Sequence, residues 1–379
     1  MNERIFIQIA SYRDSELNVT IENCIENAEY PERLKFGICW QHGEEEYLEK
    51  WINDPRFKII SVHYSHSKGA CWARHLLQQL FDDEEFTLQL DSHHRFVKGW
   101  DKLLIDMYKD LQLKGFNKPL ITAYLPSYEP STDPIGRVLT PWKLKIDKIT
   151  EDKMILFNSD YILDHQNLTS PIKGFLYSAH FAFSSGQFVK EIPHDPNLYF
   201  TGEEMNITIR AFTHGYDIFH SHILIAWHEY TRKHRIKVWD DDKEWWKKDA
   251  ESKKHYHKLF RGEIINKKYC LGTKRTLEDF KEVSNIDLLH IYCSQNTSNT
   301  NANTNAVDQK EIVVDDMQTN TTKDKEISIE WKNWIKTNLD LGVGKEVIIK
   351  ILMDSKFNKE CIDKELNSSL LPTDSEKIN

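Results

Sequence analysis

Short apolar runs alternate with amphipathic stretches over residues 1–105 of the chain. The apolar runs predict four buried strands, at Ile5–Ala10, Phe36–Trp40, Phe57–Val62 and Phe86–Leu90. Apolar residues at helical spacing predict helices over residues 17–28 and 71–81. Strands that alternate with helices favour an α/β domain built on a mostly parallel sheet of the nucleotide-binding type.

The pattern changes after residue 118, where the apolar segments become shorter and more mixed. Residues Leu120–Leu125, Gly174–Ser184 and Ile223–Trp227 are strand-like, and residues 203–214 have helical spacing. We interpret residues 118–228 as the acceptor-binding half of the same domain. The following stretch, residues 231–258, is dense in Trp, Asp and Lys and predicts a flap followed by a helix.

The composition indicates a second, smaller part of the chain after residue 293. Residues 294–325 are rich in Asn, Thr and Ser, and too polar to bury a core, so we expect a disordered linker there. Residues 326–379 recover helical periodicity and predict a small helical module with a tail. This module either docks a protein or an acceptor, or packs on the first domain, which spans residues 1–293.

Charge and cysteine content exclude several classes of protein. A net charge of −9 gives no electrostatic reason to expect nucleic acid as a partner. The six cysteines are dispersed without a CxxC pair, which argues against a disulfide framework and a structural zinc site. The chain opens on a short strand without a signal-peptide apolar region, and no apolar run reaches the ~18 residues of a membrane span. We therefore expect a cytoplasmic protein.

The most informative chemistry follows the fourth predicted strand, where Asp91 and His93 stand two residues apart. On an extended chain, side chains two residues apart point to the same side, so both can reach one ion. A carboxylate plus an imidazole suits Mn²⁺ or a similar ion better than a soft thiolate site does. The alternative is that Asp91 is an ordinary turn or capping residue, as acids at strand ends often are.

Three further segments bear on that choice. Small residues before Arg74 predict the start of a helix. Its backbone amides and Arg74 either bind an anion, or the helix is an ordinary one with a surface arginine. Glu203 and Glu204 open another predicted helix, either to contact an acceptor hydroxyl or simply to complement the helix dipole. His228 follows an apolar strand, and it is a candidate third metal ligand with Arg232 near a diphosphate. A single histidine among 17 is more commonly structural.

Several blocks of the chain, taken together and in order, resemble one family. They are Ile9–Asp14, Pro31–Arg33, Gly37–Gln41, Gly69–Arg74, Asp91–Phe96, Gly202–Glu204, His228–Arg232 and Leu271–Thr276. The family is that of the cytoplasmic N-acetylglucosaminyltransferase that modifies hydroxyproline on an F-box adaptor protein of ubiquitin ligases. The second half also resembles, more distantly, the polypeptide N-acetylgalactosaminyltransferases. The resemblance covers residues 3–290 and leaves out the linker and the helical module.

The resemblance implies an α/β fold of the GT-A type, a Rossmann-like mixed sheet with flanking helices. It implies a UDP-sugar donor such as UDP-GlcNAc, Mn²⁺ or Mg²⁺ as the ion, a protein or glycan acceptor, and retention of anomeric configuration. Carried over position by position, the expected metal ligands are Asp91, His93 and His228. The expected nucleotide-binding residues are Ser11, Tyr12, Arg13, Asp14, Arg74 and Asp91, and the expected catalytic residues are Glu203, Glu204 and Arg232.

The expected reaction is transfer of a sugar, GlcNAc in the first instance, to a hydroxyl group. A bound ion would act as a Lewis acid on the UDP diphosphate, with arginines adding positive potential. Two alternatives remain open: a transferase of the same fold with another UDP-sugar or a glycan acceptor, and a catalytically silent binding module. Intact Asp91, His93 and His228 speak against the silent module.

Overall fold

The computed structural model describes residues 3–44, 47–231, 235–293, 327, 332, 335, 345–354 and 357–368. The chain divides into two compact units, Met1–Gln295 and Asn296–Asn379. The expected linker, residues 294–325, lies outside the described residues. Among the described residues, every helix is too short or too polar to traverse a lipid bilayer.

An eight-stranded mixed sheet organises the first unit, in the order β3-β2-β1-β4-β10-β6-β11-β9. Its strands are β1 (Ile5–Tyr12), β2 (Leu34–His42), β3 (Phe57–His63), β4 (Phe86–Leu90), β6 (Pro119–Thr122), β9 (Ile172–Lys173), β10 (Phe181–Ser185) and β11 (Asp217–His220). Strands β1 to β4 run parallel, and β10 lies antiparallel between β4 and β6. Two small ladders stand apart: β5 (His94–Phe96) with β12 (Ala226–His228), and β7 (Trp142–Ile149) with β8 (Ile155–Tyr161).

Ten helices accompany the strands in the described part of the first unit. They are α1 (Leu17–Asn27), α2 (Glu49–Ile52), α3 (Ala70–Gln78), α4 (Trp100–Leu113), α5 (Gln187–Glu191), α6 (Glu203–Thr213), α7 (Val238–Asp241), α8 (Trp245–Phe260), α9 (Leu277–Ser284) and α10 (Leu288–Cys293). Short 3-10 helices lie at Pro31–Arg33, Tyr64–His66, His165–Asn167 and Lys267–Tyr269.

The apolar runs of the sequence become the buried strands because both faces of the sheet are covered. Apolar side chains of β1, β2 and β4 form one core with those of α1 and α4. On the other face, α3 packs on β2, and α5 and α6 pack on β6, β10 and β11. A further core joins α6 to α8, α9 and α10. The predicted α/β class, a mixed sheet flanked by helices as in GT-A enzymes, is confirmed. The segment expected as a strand over residues 174–184 is shorter, since only Phe181–Ser185 is extended and paired.

Helices α3 and α6 carry Arg74 and Glu203, and the chain segments that lead into the two helices are in contact. Gly69 precedes α3 with φ +102°, and the next residue, Ala70, donates its N–H to the carbonyl of Tyr199 at 3.0 Å. A Cβ on Gly69 would lie 2.4 Å from that carbonyl oxygen, so the approach depends on the missing side chain. Gly69 therefore couples the start of α3 to the segment that leads into α6.

We expect Gly69→Ala to destabilise the fold more than Gly115→Ala. Gly115 has φ +93° and no atom within 4 Å of its added Cβ, so it isolates the backbone strain alone. That strain amounts to about 1–2 kcal/mol, and the collision with Tyr199 adds to it for Gly69. Urea unfolding of both variants measures the difference. Equal losses in the two variants would show that the close approach has no energetic weight.

The second unit contains two described helices, α11 (Lys345–Asp354) and α12 (Lys359–Ser368). Ile335, Ile348, Leu352, Ile362 and Leu366 are buried together in its own small core. The helical periodicity after residue 326 thus corresponds to helices in the described residues. Protein docking through them stays a prediction.

Candidate active site

The candidate ligands come together because three chain segments end at the same edge of the sheet. Strands β1 and β4 are paired in parallel with Ile9 opposite Leu90, which places the residues after both strands side by side. His228 arrives from the distant strand β12, which pairs antiparallel with β5 so that His228 lies opposite His94. This ladder brings His228 next to the segment that contains Asp91 and His93.

Asp91, His93 and His228 form a cluster with the geometry of a cation site. Each offers a ligand atom, and these atoms all lie within 4.8 Å of one another. The Oδ2 atom of Asp91 lies 3.4 Å from Nε2 of His228 and 3.6 Å from Nε2 of His93. Burial lowers the pKa of His228 well below its ordinary value, which keeps the imidazole neutral, as a ligand must be.

Arg74 orients the Asp91 carboxylate. Its Nη2 donates to Oδ1 of Asp91 at 2.7 Å, which turns Oδ2 towards the two histidines, and its Nη1 donates to Glu203. Burial by itself would raise the pKa of Asp91, but the His228 hydrogen bond and the charge of Arg74 outweigh it. The pKa of Asp91 is therefore held well below its usual range, and the group is a carboxylate.

Asp14 lies behind His93 and determines which ring nitrogen faces the cluster. Its Oδ2 is 2.8 Å from Nδ1 of His93 and also accepts from Ser92 Oγ at 2.7 Å. Burial alone would raise the pKa of Asp14, but its bond with His93 and the charge of Arg235 lower it. A carboxylate at Nδ1 places the proton there and leaves the Nε2 lone pair free for a metal ion. Asp14 was expected to contact the nucleotide, and the structure shows that it contacts the candidate metal ligand His93.

We expect Asp14→Asn to weaken Mn²⁺ binding about 10- to 100-fold, the usual effect of losing such a carboxylate behind a histidine ligand. The amide keeps the size of the side chain but no longer selects the Nδ1–H form of His93. Titration calorimetry with Mn²⁺ measures the change. Asp106→Asn, at an exposed position of α4, is the matched control. Unchanged affinity in Asp14→Asn would contradict the role of Asp14.

Sequence reasoning missed His180, which supports His228. The two rings stack with centroids 4.1 Å apart, and His180 Nε2 accepts from the backbone N–H of Leu125 at 3.1 Å. His228 Nδ1 is buried and has no hydrogen-bond partner among the described residues. The imidazole of His228 therefore engages the site through Nε2 alone. No local signal in the sequence distinguishes His180 from the other histidines.

Glu203 and Glu204, adjacent at the start of α6, have different environments. Glu203 is bound by Arg74 and lies 3.2 Å from His194 Nδ1, so its carboxylate is committed to structural partners. Glu204 accepts from Tyr124 Oη at 2.7 Å and from the backbone N–H of Ala179 at 3.0 Å. Burial raises the pKa of Glu204 to about 7. Glu204 can thus carry a proton near neutral pH.

A cavity of about 540 Å³ opens over the cluster. Tyr12, Asp14, Arg74 and Asp91 line it, as do His93, His228, Glu203, Glu204 and Arg235. Its apolar lining includes Leu156 and Phe157 of β8 and the exposed Phe200. Its size is in the range of small-molecule sites.

The predicted nucleotide-binding residues at the end of β1 divide between the cavity and its surroundings. Tyr12 lines the cavity and donates from its hydroxyl to Asp241 at 2.8 Å. Arg13 pairs with the same carboxylate at 3.1 Å and packs over the ring of Tyr64. Ser11 is completely buried, and its hydroxyl has no hydrogen-bond partner among the described residues. Asp241 therefore connects the end of β1 to α7, the helix that follows β12 in the chain.

Arg235, which sequence reasoning also missed, reaches into the site from beyond β12. Its Nη1 donates to Asp14 at 3.0 Å and lies 2.6 Å from Nδ1 and 3.1 Å from Nε2 of His93, and its Nη2 donates to Glu229 at 2.5 Å. Arg232, which was expected near the diphosphate, lies outside the described residues. Arg235 thus supplies positive charge in the same part of the chain.

The chain matches the family model described as Glycosyltransferase (GlcNAc) over residues 4–50 and 48–290. The chain belongs to this GlcNAc glycosyltransferase family. The matched range contains Asp91, His93 and His228, the cavity and all the other described residues of the site. A comparison with curated proteins found no match.

Two solved structures show a limited similarity to this chain. A structure of GalNAc-T7 with UDP, GalNAc and Mn²⁺ has a TM-score of 0.48 at 15% identity, over 76% of this chain and 55% of that one. S. aureus TarS 1-349 in complex with UDP-GlcNAc has a TM-score of 0.39 at 11% identity, over 61% of this chain and 60% of that one. The chain thus spans about half the length of the GalNAc-T7 chain.

Proposed function

We propose that this glycosyltransferase moves a sugar, GlcNAc in the first instance, from a UDP-sugar to a hydroxyl acceptor with the help of a divalent ion. The observation that carries the proposal is the convergence of Asp91, His93 and His228 on one point of the cavity. It occurs within a chain of the GlcNAc glycosyltransferase family.

The donor set fits a divalent ion of the Mn²⁺ or Mg²⁺ type. One carboxylate oxygen and two imidazole nitrogens favour Mn²⁺ of the two, since Mg²⁺ prefers oxygen ligands. Nε2 of His228 lies 3.4 Å from Oδ2 of Asp91, and the Asp14 contact at Nδ1 of His93 leaves Nε2 of that ring towards the same carboxylate. An ion held by these residues supplies charge neutralisation for the diphosphate as the bond between sugar and phosphate breaks.

The protein's own side chains would bind and orient the substrates. The resemblance makes Tyr12 and Arg13 the proposed contacts of the nucleoside. We propose that Arg235, which lines the cavity, adds positive potential beside the diphosphate, as Arg232 is also proposed to do. Glu204 faces the cavity with a proton available near neutral pH, so it suits a hydrogen bond to a sugar or acceptor hydroxyl. Glu203 instead holds Arg74 in place.

Retention of configuration is part of the proposal and comes from the family resemblance. In that course the acceptor attacks the face that the leaving phosphate departs from, and the phosphate oxygen takes the acceptor proton. The same resemblance makes a hydroxyproline on an F-box adaptor protein the first acceptor to test. The proposed reaction therefore transfers GlcNAc from UDP-GlcNAc to a cytosolic protein acceptor.

Release of UDP from a panel of UDP-sugars tests the proposal. The full chain is incubated with UDP-GlcNAc, UDP-GalNAc, UDP-glucose or UDP-galactose, with Mn²⁺ or with EDTA. We expect the fastest release from UDP-GlcNAc and its loss in EDTA. Release that persists in EDTA would overturn the metal dependence, and a different preferred sugar would overturn GlcNAc as the donor sugar. The absence of both UDP release and donor binding would indicate a silent module.

A further inference from the structure

A chain of buried polar side chains runs from the metal cluster into the interior of the first unit. Its links are Asp91, Arg74, Glu203, His194 and Gln89, which come from four separate segments of the sequence. Arg74, Glu203 and His194 are exposed by only 5%, 4% and 2%. Charged groups this deeply buried must be paired, so the order of the chain is set by its contacts.

His194 is the link that the reaction itself does not use. Its Nδ1 lies 3.2 Å from Oε1 of Glu203 and its Nε2 lies 2.5 Å from Oε1 of Gln89. Gln89 is oriented in turn, since its Nε2 donates to the carbonyl of Ala179 at 2.6 Å. The backbone N–H of His194 donates to Gln78 of α3 at 2.8 Å, on the same helix as Arg74. The ring is therefore fixed by both the backbone and its neighbours.

The position of Glu203 affects Asp91 through one side chain, the guanidinium group of Arg74. Arg74 binds Glu203 through Nη1 and Asp91 Oδ1 through Nη2, so any rotation of Glu203 moves the donor that turns Asp91. With Oδ1 held by Arg74, Oδ2 lies 3.6 Å from Nε2 of His93 and 3.4 Å from Nε2 of His228. In a buried site the cost of a lost partner is large, which makes such coupling strong.

We propose that His194 is a positioning residue for the cation site: it restrains Glu203, which restrains Arg74, which fixes the Asp91 carboxylate. This role rests on the proposed metal site and assigns a residue far from the reacting atoms to it. His194 does not line the cavity, so we infer that its effect on Asp91 is indirect and passes through Glu203.

Two substitutions at the same position separate the two sides of the ring. Asn at position 194 places an amide nitrogen near the position of Nδ1 and keeps the contact with Glu203. Gln places its amide near Nε2 and keeps only the contact with Gln89. We expect His194→Gln to weaken Mn²⁺ binding about 10-fold and His194→Asn to weaken it less than about threefold.

Titration calorimetry of the full chain with Mn²⁺ alone, without donor, gives the affinities, and metal-free melting gives the stability of each variant. Equal weakening in the two variants, or tight binding by His194→Gln, would overturn the positioning role. A wild-type chain that binds no Mn²⁺ would overturn the metal site as well. The two failures are thus distinguished by the wild-type titration.

Glu203→Gln tests the next link and guards against a His194 variant that does not fold. We expect it to weaken Mn²⁺ binding at least as much as His194→Gln. The double variant should bind no more weakly than Glu203→Gln alone, because both changes break one chain of contacts. Additive losses in the double variant would show independent packing effects and overturn the proposal.

Discussion

Asp91→Asn is expected to reduce Mn²⁺-dependent UDP release by more than about 100-fold, since removing a ligand should exceed the effect of removing a group behind one. Arg74 donates to Oδ1 of Asp91, so in the variant it should hold the amide carbonyl. The amide nitrogen then faces Nε2 of His93 and of His228, where it cannot bind a cation. The change therefore removes both the charge and the ligand atom.

The variant should remain folded, because Arg74 keeps Glu203 and a carbonyl oxygen as partners. Circular dichroism and metal-free melting check this. Asp106→Asn, an exposed acid on α4, is the control for the substitution itself and should leave UDP release unchanged. Turnover of Asp91→Asn within a few-fold of wild type would exclude Asp91 as a metal ligand.

The sheet and half of the cluster could be predicted because they are local. Apolar runs predicted β1 to β4 to within two residues at each end, and the two-residue spacing of Asp91 and His93 was enough to pair them. We did not predict α4 or the β7–β8 hairpin. The hairpin's alternation of Lys143, Leu144 and Lys145 is typical of a half-exposed strand, so that signal was present in the sequence.

The rest of the site depends on contacts between segments far apart in the chain. His228 reaches Asp91 through a three-residue ladder with β5, for which strand patterns give no register. The division of labour between Glu203 and Glu204 is equally invisible, because neighbouring residues on a helix face different surroundings. Only the structure shows that one meets Arg74 while the other meets Tyr124.

Glu204→Gln is expected to change how stability depends on pH. Burial raises the pKa of Glu204 to about 7 from its ordinary value of 4.5. Below pH 4.5 both the folded and unfolded states carry the proton, and the side chain has no cost. Between the two values the unfolded chain releases its proton first, so the free energy of unfolding falls as pH rises. Above about pH 7 the cost is complete.

The size of this cost follows from the shift of about 2.5 pH units, which at 1.36 kcal/mol for each unit is about 3 kcal/mol. Gln keeps the acceptor for the N–H of Ala179 and can donate to the hydroxyl of Tyr124, but it never ionises. The variant should therefore match wild type near pH 4.5 and exceed its free energy of unfolding by about 3 kcal/mol at pH 8.

Urea unfolding at pH 4.5, 6 and 8 measures the difference between variant and wild type, in which the other titrating groups cancel. Glu282→Gln, at an exposed position of α9, controls for the amide substitution. A difference that stays constant with pH would mean that Glu204 is already ionised in the folded protein at acidic pH. In that case Glu204 could not donate a hydrogen bond to a sugar hydroxyl at neutral pH. Its proposed contact would be limited to accepting a hydrogen bond from that hydroxyl.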